Sequence, residues 1–287
     1  MTKRSDQIGR CVVLARIVLF FVACVAMLIV ATPVARLFPK VPLAISIGVA
    51  SSFGALALTL VFVRWDGVSA HDVGAAPDRH SVSRLAAGFV LGLLLVAINT
   101  LAMWCTGHVT WIWTPAPNLF DAAVTLVVFL LLASREELAF HGYPLRRLES
   151  VYGVWVAQVV VALIFALEHV AGGSSWANAF IGSGVGSLLF GMAAIASRGL
   201  ALPIGLHAAW NFGDWLRGGK DSVGVWKAVV DEAFAGSVET AGMVSYVVLF
   251  LLTTLGLWYG RRFFRRSATS ESSAPLTPPS PPAGMRG

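Results

Sequence analysis

Residues 119–142 read LFDAAVTLVVFLLLASREELAFHG, an apolar stretch that ends on two adjacent glutamates, Glu136 and Glu137. A helix that crosses hydrocarbon needs about 20 apolar residues. An ionised side chain at that depth costs roughly 2.5–3.5 kcal/mol on insertion scales. A sequence that carries such groups there has a use for them, so the glutamates are read as functional. Two later apolar stretches carry one histidine each: Phe165-Ala166-Leu167-Glu168-His169 and His207-Ala208-Ala209-Trp210-Asn211. Carboxylates and imidazoles are also the side chains that activate water.

The length rule that picks out 119–139 also picks out 17–35, 42–63, 85–105, 155–173, 176–197, 199–216 and 241–259. The fold expected is therefore all-α, a multi-pass transmembrane helix bundle of about eight spans. Short loops join most of them, which favours one bundle over residues 1–266, with the glutamate and histidine motifs at about 120–215. Residues 267–287 are Ser/Pro/Thr-rich and read as a disordered cytoplasmic tail. Composition agrees: 57% of the 287 residues are hydrophobic and 13% charged, against about 25% charged in soluble domains.

A net charge of +6 invites a nucleic-acid reading, and the placement of the charge argues against one. Between the expected spans, sixteen of the 21 basic residues fall on one side and five on the other. The five are Arg36, Lys40, Arg217, Lys220 and Lys227. This is the positive-inside pattern, with both termini cytoplasmic and an even number of spans. The partners expected are the lipid bilayer and a peptide or membrane-protein substrate, in a bacterial cytoplasmic membrane; the oligomeric state is not legible. Cys11, Cys24 and Cys105 lack metal spacing and read as packing residues. The first span, although preceded by Arg10 and Arg16, reads as a retained helix rather than a cleaved signal.

Thr106–Asn118 and 217–240 read as loops on the side away from the termini, the second with a short amphipathic helix. Gly142 and Pro144 are expected to break the fourth helix, leaving Arg146–Glu149 as an exposed extension. Gly88/Gly92 and Gly182/Gly186 read as small-residue packing faces. Asp121 reads as a helix cap, and Asp214 as interfacial. Phe165/His169, His207/Asn211 and Glu137/His141 are each four residues apart, so each pair shares a helix face. Glu136 and Glu137 lie about 100° apart around the axis. One is therefore primary at any single site and the other supports it.

The three runs resemble the motifs of the CAAX protease and bacteriocin-processing (Abi) family of intramembrane peptidases: E-E-x-x-x-R, F-x-x-x-H and H-x-x-x-N, in that order on successive hydrophobic segments. Here they are Glu136-Glu137 with His141, Phe165 with His169, and His207 with Asn211. The resemblance implies an endopeptidase in which Glu136 is the general base on water, supported by Glu137. It gives His169 the water or a metal, and gives His207 and Asn211 the oxyanion. Desolvation strengthens a carboxylate as a base near neutral pH, and an amide carbonyl needs donors where negative charge develops. Zinc would accept His169, His207 and a glutamate with one position open to water; the sequence leaves open whether a metal takes part. The family's arginine is His141 here, and Glu168 is foreign to the motif. Two rival readings follow: an impaired scaffold or immunity protein of the same fold, or a carrier using its buried carboxylates. No inverted repeat supports the carrier.

Overall fold

The computed structural model describes residues 2–38, 41–115, 117–220 and 224–272. The helices are α1 (Thr2–Ala35), α2 (Leu43–Asp66), α3 (Ser81–Trp104), α4 (Leu119–Glu136), α5 (Tyr143–Tyr152), α6 (Val154–Ala171), α7 (Val185–Ser197), α8 (Ala201–Leu216) and α9 (Ala235–Ser272). Two π-helical turns, Glu137–Gly142 and Asn178–Gly184, join α4 to α5 and lead into α7. The protein is an all-α multi-pass bundle. Every expected span is helical. Six helical stretches among the described residues are long and apolar enough to cross a membrane. The two expected spans outside that set are α4, which carries Asp121, Arg135 and Glu136, and the 16-residue α8. Both carry polar residues singled out from the sequence, as does α6, which is within the set. Large apolar side chains such as Val18, Ile29, Val90 and Leu252 stand 62%, 70%, 67% and 61% exposed, as lipid-facing surfaces do.

One end of the bundle gathers the basic residues. The fully enclosed Asp66 carboxylate, at the end of α2, accepts from Arg16 of α1, from Tyr143 Oη at 2.9 Å and from Arg147 Nε at 2.6 Å. Phe20, Phe62 and Tyr143 pack ring against ring above it. The loop after α2 folds under the same end, where Leu200 N donates to Gly74 O at 3.1 Å. Arg135 leaves this basic group. It is buried inside the bundle between two glutamates, so it does not count toward the positive-inside tally.

Close packing of α3 on α8 depends on the expected small-residue face. A methyl at Gly88 would strike the Leu202 carbonyl, and one at Gly205 the Leu85 carbonyl. The second glycine pair behaves differently. Gly182 faces open space, and its carbonyl accepts from Tyr246 Oη.

The opposite end differs from the sequence reading. The two expected loops meet as an antiparallel ribbon, β1 (Val109–Trp113) on β2 (Trp226–Val230), in the register Trp111↔Ala228. A single 3-10 turn, Glu232–Phe234, stands where an amphipathic helix was expected. The β-branched and aromatic runs Val-Thr-Trp-Ile-Trp and Trp-Lys-Ala-Val-Val carried that signal. Asp121 caps α4 in a reciprocal box with Asn118. Asp214 is buried rather than interfacial, paired with Arg217 at 2.8 Å.

The fourth helix does not break at Gly142. It continues through the π turn into α5, with Pro144 in the first turn of α5. Proline offers no N–H to the carbonyl four residues back, so the hydrogen-bond register slips instead of ending. Arg146, Arg147 and Glu149 are half-buried and Leu148 is enclosed, so this segment is a packed arm. Finally, α9 runs on to Ser272, past the expected start of the tail at 267, and residues 273–287 lie outside the described residues.

Candidate active site

Glu136 ends α4, and Glu137 opens the π turn that follows. Their different surroundings begin there. Glu137 is fully enclosed. Its Oε2 accepts from His141 Nδ1 at 2.7 Å and its Oε1 from His207 Nδ1 at 2.9 Å. Short-period π turns recur at functional sites because they re-aim side chains; this one places Glu137 and His141 on one buried face. His141 Nε2 lies 3.0 Å from Ser187 Oγ of α7. Ser187, absent from every motif, completes the chain Ser187–His141–Glu137–His207. No sequence spacing signals it, since it lies on another helix.

Glu136 faces a cavity of about 690 Å³. Arg135 holds its Oε1, and Arg135 is anchored on its other side by Glu168 Oε1 at 3.0 Å. The guanidinium missing at position 141 is thus present one residue ahead of the glutamates, and Glu168, foreign to the motif, is its anchor. The second carboxylate oxygen of Glu136, Oε2, is 3.6 Å from His207 Nε2. His207 therefore stands between the two glutamates, one ring nitrogen toward each. Phe190 stacks on its ring at a centroid distance of 4.2 Å, which fixes the plane of the imidazole.

His169, near the end of α6, bonds Phe165 O through Nδ1 at 2.9 Å. A carbonyl only accepts, so Nδ1 carries a proton, and in the neutral ring Nε2 keeps its lone pair. Phe165 is buried against the His169 ring at 4.5 Å. The F-x-x-x-H spacing thus supplies both the carbonyl and the ring that orient the histidine. Asn211 Oδ1 accepts from Lys220 Nζ at 3.0 Å. An ammonium only donates, so it selects the amide oxygen and leaves Nδ2 as the donor. Glu136, His169, His207 and Asn211 all line the one cavity, whereas Glu137 and His141 lie behind its wall.

The zinc expectation meets part of what it needs. Both cavity imidazoles have Nδ1 engaged by an acceptor, the arrangement that prepares Nε2 for a metal. The Glu136 carboxylate, however, is already held by Arg135 and faced by His207. Among the described residues no group of three or more His, Cys, Asp or Glu side chains is arranged so that it could hold a metal ion. The residues as placed do not fit a metal centre, and no chemical step below is routed through one.

No curated protein matches the chain. Residues 118–213, which contain all three motifs, match the family model described as type II CAAX prenyl endopeptidase Rce1-like. Over that stretch, about a third of the chain, the sequence is similar to the Rce1-like type II CAAX prenyl endopeptidases.

Proposed function

We propose that the protein is an intramembrane endopeptidase in which Glu136 activates water for attack on a peptide carbonyl. The observation that carries this reading is His207, set between Glu136 at 3.6 Å and Glu137 at 2.9 Å at one end of a cavity that His169 and Asn211 also line. Arg135 occupies one carboxylate oxygen of Glu136, so Oε2 is the oxygen that takes the proton of water. His169 Nε2, a lone pair facing the cavity, accepts the second water hydrogen and orients the nucleophile.

Attack leaves negative charge on the carbonyl oxygen. Asn211 Nδ2 is the neutral donor for it. His207 becomes a second donor when Nε2 is protonated, and Glu137 behind Nδ1 stabilises that imidazolium. The proton taken up by Glu136 then passes to the leaving amine, which completes hydrolysis. Positioned acid–base groups of this kind contribute typically about 10²–10⁴-fold each.

Orientation follows from charge. With the basic end at the cytoplasm, both termini are cytoplasmic in a bacterial cytoplasmic membrane. Cleavage of a peptide library by the purified protein, beside Glu136→Gln, tests the activity. Library peptides cut by the wild type and spared by the variant support the reading; equal cutting by both ends it. A second reading, a non-catalytic scaffold of the same fold, is favoured by one observation: Glu137 meets imidazoles where the family has an arginine. An inactive wild type with correct folding would decide for that scaffold.

A further inference from the structure

The cavity extends in one direction only. His207 lies about 12 Å along α8 from the Arg198 turn. The α8 residues that line the cavity beyond it, Asn211 and Asp214, lie progressively farther from that turn. The other helices agree. On α3 the lining residues are Asn99 and Met103, at the end remote from Arg84; on α9 they are Glu239 to Tyr246, at the end remote from Arg261. Trp111 of β1 and Ala228 of β2, paired in register, line the far end.

Toward the basic residues the bundle is closed. Val73, Leu145 and Leu200 are 1%, 0% and 4% exposed. Gly142, at the end of the π turn, has Leu200 and Val73 as its neighbours. The loop after α2 is bonded to the α7–α8 turn through Leu200 and Gly74. A chain approaching from that end meets these packed residues.

We infer that substrate reaches Glu136 from the end of the bundle opposite the basic residues. In a membrane that holds basic ends at the cytoplasm, the chain cut is then an exported or membrane-anchored polypeptide presented on the extracytoplasmic side. The space suits a short extended segment rather than a folded domain, since cavities of roughly 300–1,000 Å³ hold drug-sized ligands. Its wall is polar along the route, where Arg217 bonds both Asn99 and Asp214. The inference rests on the proposed peptidase reading for the word substrate, and on geometry and charge alone for the direction.

The test uses single cysteines in the full chain, with Cys11, Cys24 and Cys105 replaced by alanine. Ala228→Cys and Glu239→Cys report the cavity mouth, and Val82→Cys reports the basic end. A membrane-impermeant maleimide should label the first two in intact cells as fully as after permeabilisation, and should label Val82→Cys only after permeabilisation. The reverse pattern, or labelling of Val82→Cys in intact cells, overturns the inference. Once attached at Glu239→Cys from outside, a bulky reagent should also block cleavage of an added peptide, and undiminished cleavage would overturn the route. Labelling does not depend on activity. A protein that labels as expected but cuts nothing before modification refutes the peptidase reading and leaves the direction of opening intact.

Discussion

Two isosteric substitutions, Glu136→Gln and Glu137→Gln, should damage different properties of the protein. Glu137 accepts from two buried imidazoles, at 2.7 and 2.9 Å. A glutamine there offers one acceptor and one donor group. One imidazole N–H then faces an amide N–H inside the wall of the bundle, unless that ring moves its proton to Nε2 and accepts the amide at Nδ1. A buried donor left unpaired costs about 1–3 kcal/mol, and at about 2–4 °C per kcal/mol the melting temperature should fall by roughly 2–12 °C. Glu136 is different. Its oxygen toward Arg135 survives as the glutamine carbonyl, and its other oxygen faces the cavity, where water replaces lost contacts. Stability should change little, while loss of the base should cut cleavage by about 10²–10⁴-fold. Thermal melting in detergent, followed by tryptophan fluorescence, and peptide cleavage measured on the same preparations separate the two. Some cleavage will be lost in Glu137→Gln as well, because Glu137 orients His207, but less than in Glu136→Gln. If Glu137→Gln melts like wild type and cuts worse than Glu136→Gln, the assignment of roles is refuted and the base is Glu137.

Gly205→Ala forces a methyl onto the Leu85 carbonyl and should cost about 1–3 kcal/mol; Gly182→Ala, which faces open space, should melt like wild type. His141→Arg restores the family's residue at a fully enclosed position, where Gly191 stands with a Cβ site only 3.0 Å from the His141 ring. The larger side chain should lower the melting temperature yet keep cleavage, because Glu137 retains a donor; a folded but inactive variant would mean that the imidazole itself is required. Protein purified without added metal should keep its cleavage in the presence of a chelator. Loss of cleavage that returns on adding zinc would mean that the donors regroup around an ion.

The fold was legible wherever one residue type dominates a long stretch. Apolar runs of about twenty residues have few alternatives to a helix in a bilayer, and each expected span is one. The failures occur where the deciding force is not local. Val109–Trp113 carries a strand signal five residues long, and it becomes a strand only because Trp226–Val230 lies opposite. Pro144 and Gly142 read as a break on local propensity. Packing of Tyr143, Leu145 and Leu148 into the core holds the segment helical, and the conflict is absorbed as a π turn. Arg135 read as a flanking positive charge because it precedes a turn in the chain, and only the fold shows that two glutamates enclose it.

The site divides along the same line. Pairs four residues apart on one helix could be read, and Glu137/His141 and Phe165/His169 are in contact. Contacts between helices could not. Nothing in the chain relates Ser187 to His141 across 46 positions, or Glu168 to Arg135 across 33, yet both pairs are bonded. The two departures from the family pattern are connected through such contacts. A neutral or protonated imidazole at 141 lets Glu137 serve as the buried acceptor for two rings, a role that a guanidinium would fill with a permanent charge. The fixed positive charge is instead next to Glu136, one of whose oxygens it holds. Glu168 supplies the second carboxylate and leaves the cluster of Arg135, Glu136 and Glu168 one charge negative on the cavity side. That residual charge faces His207 Nε2, which is where the proposed hydrolysis needs an imidazolium to form. His141 and Glu168 are therefore better understood as two parts of one rearrangement of charge than as two separate losses from the motif.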